Sequence, residues 1–173
     1  EMEDGRIEIS TGDLQDPASV AQTISGCDAV ISAAGPVKSS PPGMMDTAAA
    51  NTVEALGRSG IKRLVWLTGA GVLDRRDAPS FSRKIIRGIM KLVAGQVLAD
   101  SEAAYHRIIA SNLDYTVVRA PVLSTKPGGG TLSAGYAPPK PSPVSRQDLA
   151  EFMISCLEKG EYIKESPMVG YER

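Results

Sequence analysis

Apolar and polar positions alternate over residues 6–10 with the two-residue period of a half-buried strand. Asp16 followed by Pro17 then offers an N-cap and a proline at the first helical position, which predicts a helix over 17–25 closed by Gly26. Residues 29–34 form a continuous run of small apolar side chains between Asp28 and Gly35, the pattern of a strand buried on both faces of a parallel sheet. The same alternation continues: a helix over 46–59 capped by Gly60, a buried strand at 61–67, and a helical segment over 80–111 that breaks near Gly95. A buried strand at 115–119 stops at Pro121, and a short strand at 168–171 ends the pattern. Between them a helix opens at Ser145. Its Leu149, Phe152, Met153, Cys156 and Leu157 share one face, and Ser145 and Asp148 have capping-box spacing with Asp in the Glu/Gln place. Residues 126–144, containing PGGG and PPKPSP, are too rich in proline and glycine for regular structure.

Strands alternating with helices in this rhythm imply right-handed crossovers, hence an α/β domain with a doubly wound parallel sheet and helices on both faces, three layers in all. Ligands of such sheets bind beyond the carboxyl ends of the strands. Three of those ends are small or proline-bound here: Ala33-Ala34-Gly35, Thr68-Gly69-Ala70-Gly71 and Ala120-Pro121-Val122. Each alone reads as a tight strand-to-helix turn. Together they let a flat ring or a ribose lie against backbone.

Composition narrows the partners. With 173 residues, 42% hydrophobic and 23% charged, the chain is expected to form one domain with a sizeable core. A formal net charge of -1 gives no basic field to grip a phosphate backbone, which excludes nucleic acid as a principal partner. Cys27 and Cys156 fit no metal or redox spacing and are read as reduced core thiols. No apolar run approaches the ~20 residues that span a bilayer, and the start is acidic where a signal peptide would be basic and then apolar. A cytoplasmic protein without a membrane partner is expected.

The order and spacing of GDL at 12–14, DAVISAAG at 28–35, SGIKRLVWLTGAGV at 59–72, DYTVVRAP at 114–121 and VSRQDLAEFM at 144–153 resemble the atypical short-chain dehydrogenase/reductase group. Within that group the chain most resembles NmrA-like proteins and the biliverdin-IXβ/flavin reductase type, over nearly its whole length. The resemblance implies a Rossmann-like fold that binds NADP or NAD. It also implies a sheet whose first two strands lie between the third and fourth, with 7–10 as the third and 29–34 as the fourth. The chain as written would then lack its first βαβ segment and glycine-rich loop, leaving a gap two strands wide with unpaired edges. The expectation is a natural chain longer than this one, or a short form that repairs the gap with another chain.

By the same resemblance, Asp13 and Leu14 flank the adenine, and Ala33, Ala34 and Gly35 pass beneath the adenosine ribose and pyrophosphate. Thr68 and Gly69 border the reacting end, and Pro121, Val122 and Leu123 lie beside the nicotinamide. Asp13 also reads as a turn-capping acid, and Thr68, the candidate catalytic hydroxyl, as a backbone-bonding turn residue. The broader superfamily pairs a tyrosine with a lysine four residues on, because a phenol needs a neighbouring cation to exchange a proton near neutral pH. Here Tyr105 is followed at that spacing by Ile109. Hydride transfer to a planar acceptor needs little acid catalysis, so the expected activity is reduction of a flavin, quinone or similar molecule by NADPH. The alternatives are a non-catalytic NADP-sensing regulator and, with less to support it, a sugar-nucleotide epimerase or dehydratase. Either a monomer or a homodimer suits these readings.

Three features stay open at this level. His106 reads as a boundary residue of its helix or as a proton donor. Arg119, ending a buried strand, reads as a phosphate or acid ligand or as half of an ion pair. Arg75, Arg76, Arg83, Lys84, Arg87 and Lys91 form a basic run beside Ile85, Ile86, Ile89, Leu92 and Val93, read either as a solvated helix face or as a surface for anionic lipid or an acidic partner.

Overall fold

A computed structural model of the chain describes residues 7–37, 39–137 and 142–172. Helix α1 (Pro17–Ile24) starts where the Asp16 carboxylate accepts from the backbone N–H groups of Ala18 and Ser19, so two otherwise unpaired helix donors are satisfied. Strand β1 (Ala29–Ser32) follows, then α2 (Met44–Ser59), which ends at Gly60 in the left-handed conformation with φ 73°. Strand β2 (Arg63–Gly69) leads to α3 (Phe81–Ile109), whose break falls at Ala94, with φ -142° and ψ 34°. After β3 (Asp114–Ala120) come the short strands β4 (Leu123–Ser124), β5 (Leu132–Gly135) and β6 (Val144–Ser145). Helix α4 (Arg146–Glu158) and strand β7 (Met168–Tyr171) complete the order.

The main sheet has the order β1-β2-β3-β7-β5, parallel except for β5 against β7, and β4 and β6 form a separate parallel pair. Alternation along the strands sorts the core onto two faces. Leu64 and Trp66 of β2 and Tyr115 and Val117 of β3 pack with α1, α2 and the second half of α3. Val65 and Val118 face the other way, onto Leu149, Met153 and Cys156 of α4. The fold is therefore the expected three-layer, Rossmann-like α/β arrangement.

Several local expectations fail for physical reasons. Residues 7–10 form no ladder: β1 pairs with β2 on one edge, no described strand lies at its other edge, and a cavity separates residues 10–14 from β1. An alternating pattern makes a strand only where another strand satisfies its backbone groups. For the same reason β1 is half-buried, with Ile31 37% exposed, and it ends at Ser32 so that 33–35 are loop. Strand β2 runs two residues later than its apolar run suggests, because its register against β3 extends through Thr68 and Gly69. Strand β5 forms inside the segment read as irregular, held by pairing with β7. Residues 138–141 of that segment lie outside the described residues, as does Arg6. Cys156 is buried as expected, and burial raises its thiol to about 11, but Cys27 is exposed at the end of α1 and is no core thiol.

Candidate functional site

The carboxyl ends of β1, β2 and β3 open into a furrow made of two cavities that share Ala33 and Ala34. The first, about 300 Å³, is lined by Asp13 and Leu14 from the turn before α1 and by Val20 and Ile24 of α1. The second, about 550 Å³, runs past Gly35, Thr68 and Gly69 to Pro121 and Leu123, with Leu149 and Met153 of α4 as its wall. All the positions carried over from the family resemblance border this furrow except Val122. That side chain is exposed, and its carbonyl accepts from Val144 N–H at 2.9 Å, which ties the loop after β3 to β6.

Local geometry fixes the first cavity. Asp13 N–H donates to Ser19 Oγ and Gln15 N–H donates to Asp13 Oδ1, both at 2.9 Å. Asn51 of α2 donates through Nδ2 to the Leu14 carbonyl at 2.9 Å, so the turn is clamped between α1 and α2. A Cβ on Gly12 would sit 2.2 Å from Ser19 Oγ, so a larger residue there would have to turn the Ser19 hydroxyl away from Asp13 N–H. Asp13 is thus a turn-capping acid through Oδ1, while it remains exposed at the edge of the cavity.

The floor of the second cavity is flat for a different reason. A Cβ built on Gly35 or Gly69 would meet no protein atom within 4 Å, so the room these glycines leave belongs to the furrow rather than to packing. Volume, a floor of small residues and a backbone-lined far end suit a dinucleotide laid across the strand ends. Among the described residues lining the second cavity, the polar side chains are Thr68, Ser101 and Arg146, and Arg146 is the single charge. Sequence reasoning passed over Arg146. Its only signal was its place at the start of α4, directly after the Ser145 cap, whose hydroxyl accepts from Gln147 N–H at 3.2 Å.

The conspicuous polar residues instead assemble away from the furrow. Tyr105 Oη donates to Asp74 Oδ2 at 2.7 Å, and Arg76 donates to both Asp74 oxygens at 3.1 Å. Burial pushes the Asp74 carboxyl up, but the bonds from Arg76 and Tyr105 outweigh it and hold it down at about 2. Burial, then the bond to Asp74, pushes the Tyr105 phenol up to about 12. Arg119, fully buried, donates to both Asp77 oxygens at 2.8 and 2.6 Å and to the carbonyls of Val72 and Ser166. Of its two sequence readings, the ion pair is the one realised. Arg76 also stacks on the Tyr136 ring, 4.4 Å from its centroid. None of these side chains lines either cavity. His106 is exposed and touches Tyr105 edge-on.

Comparison with known proteins gives the family and the fold. The sequence model of the NAD(P)H-binding family matches residues 1–160. The chain is 29% identical over 147 residues to the uncharacterized sugar epimerase YhfK of Bacillus subtilis (strain 168), covering 83% of this chain but only 63% of that protein. A wide-type short-chain dehydrogenase/reductase from Veillonella parvula DSM 2008, solved in complex with NADP, superposes with a TM-score of 0.73 at 19% identity, over 98% of this chain and 74% of that one. ChuY, an anaerobillin reductase from Escherichia coli O157:H7, gives a TM-score of 0.74 at 19% identity over 92% and 72% of the two chains.

Proposed function

We propose, from the premise that the chain belongs to the NAD(P)H-binding family, that it is an oxidoreductase passing hydride to a planar acceptor held in the second cavity. The observation that carries this reading is the shared Ala33–Ala34 floor, which joins an adenosine-sized cavity to a larger one bounded by Thr68, Gly69 and Pro121. In this reading Asp13 and Leu14 take the adenine, Ala33 to Gly35 lie under the ribose and pyrophosphate, and Pro121, Val122 and Leu123 bound the nicotinamide, Val122 through its backbone. Bound dinucleotide supplies the hydride; this chain supplies proximity, a flat surface and shelter from water.

The lining sets what chemistry is available. No carboxylate, histidine, tyrosine or lysine borders the second cavity among the described residues, so the proton that follows the hydride comes from water. Thr68, whose hydroxyl has no hydrogen-bond partner among the described residues, is the one side chain at the strand ends free to orient an acceptor carbonyl. Epimerase chemistry, named for the B. subtilis relative, needs a proton-transferring residue, and Tyr105 is committed to Asp74 instead. The reductase named for ChuY fits the lining better. Arg146 suits an acceptor bearing an acidic group.

Mixing the protein with NADPH and a flavin tests the reading. Binding with consumption of NADPH is expected; binding without turnover across flavins, quinones and linear tetrapyrroles would assign the protein to cofactor sensing, which the absence of an acid in the cavity also favours. No binding of either dinucleotide would refute both.

A further inference from the structure

The break at Ala94 divides α3 into halves with opposite surroundings. The second half buries Leu98, Ala104, Tyr105 and Ile108 in the core. On the first half no described side chain is buried. Phe81, Ile85, Ile89, Leu92 and Val93 all stand in solvent, Phe81 and Val93 79% exposed and Leu92 88%. Their spacing of four, four, three and one residues puts them on one face of the helix. A face of that size in water is costly, and no described residue covers it.

Charge identifies what covers it. Residues 78–99 contain no Asp or Glu, while Arg83, Lys84, Arg87 and Lys91 supply four cations. Arg87 is engaged with Glu102 at 2.6 Å and with the Gly71 carbonyl. Lys84 and Lys91 are exposed and seven residues apart, so they stand together along one border of the apolar face. A second copy of the chain would bring cations against cations. An anionic surface would not.

We propose that the first half of α3 is an interfacial anchor that lies on anionic lipid, with Phe81, Ile85, Ile89, Leu92 and Val93 in the acyl boundary and Lys84 and Lys91 at the headgroups. The segment is about 13 residues, roughly 20 Å, suited to lying in the interface rather than crossing it. No described helix is long and apolar enough to cross a membrane. The proposal is independent of the catalytic reading.

Flotation with vesicles of phosphatidylcholine alone, or with added phosphatidylserine, tests it. The protein is expected to float with the phosphatidylserine vesicles, to be released by high salt, and to ignore neutral vesicles. Lys84→Gln and Lys91→Gln should each weaken partitioning about fivefold, and together roughly 25-fold. Ile89→Glu with Leu92→Glu should abolish it, with circular dichroism and NADPH binding unchanged because both side chains are exposed. Failure of the unaltered protein to float, or equal flotation by the variants, overturns the proposal. So does a dimer in solution that Ile89→Glu with Leu92→Glu dissociates, since that would give the face to a second copy.

Discussion

Arg119 carries its charge with no solvent exposure, and the four hydrogen bonds made by its guanidinium, two of them to a carboxylate, make that tolerable. Removing one partner of such a pair leaves an uncompensated buried charge, so Asp77→Ala should cost about 3–5 kcal/mol, read as a lower urea midpoint with unchanged slope. Replacing both partners, as Arg119→Met with Asp77→Leu, should recover most of that loss. Asp74 predicts the acid side of stability. Its folded carboxyl is held at about 2 against an ordinary 3.8, so it contributes about 2 kcal/mol above pH ~4, lost as the pH falls from about 4 to 2. Asp74→Asn should therefore flatten stability across that window. Tyr105→Phe should cost about 1 kcal/mol and leave turnover unchanged, because the hydroxyl serves Asp74 and not the furrow. That Arg119 could be half of an ion pair was legible in the sequence, but its partner was not. Asp77 lies 42 residues from Arg119, in a loop without periodicity, and only the fold brings them together. The sequence did state correctly that Tyr105 lacks a lysine four residues on, and the structure shows what the phenol does instead.

At the scale of elements, helices were legible where their caps are local. Asp16, Pro17 and Gly60 mark their helix ends through bonds or dihedrals confined to a few residues. Asp148 had capping-box spacing yet does not cap. Its Oδ1 accepts from Gly129 N–H at 2.9 Å, and its Oδ2 from Tyr171 Oη at 2.7 Å and Gly130 N–H at 3.4 Å. It thereby pins the glycine-rich segment before β5 to α4 and β7. Gly128 completes the fit, for a Cβ there would sit 1.9 Å from Asp148 Oδ1. Asp148→Ala should speed amide exchange at Gly129 and Gly130 by about tenfold or more while leaving α4 amides unaffected. Slowed or unchanged exchange would show that β5 holds the segment unaided. Strand β5 escaped notice because LSAG has little β preference of its own and takes its conformation from β7.

For the molecule as a whole, the furrow was legible because its parts are backbone parts: small residues at strand ends read the same in sequence and in space. The lining added by α4 was not, since Arg146 comes to the cavity only through the crossover that brings α4 over the sheet. These two kinds of residue should separate in binding experiments. Ligand at 100 times its Kd stabilises a protein by about 2.7 kcal/mol, so NADPH should raise the melting temperature by several degrees. Gly69→Val fills furrow space that no protein atom occupies, so it should leave the unliganded melting temperature within about 2 °C and weaken NADPH at least tenfold. Arg146→Gln should leave NADPH affinity nearly unchanged and raise KM about tenfold for an acceptor carrying a carboxylate or phosphate, but not for a neutral quinone. A loss of NADPH affinity in Arg146→Gln that matched the Gly69→Val loss would move Arg146 from the acceptor to the dinucleotide. The anionic group it meets would then be a cofactor phosphate, and the second cavity would have no charged determinant for its acceptor.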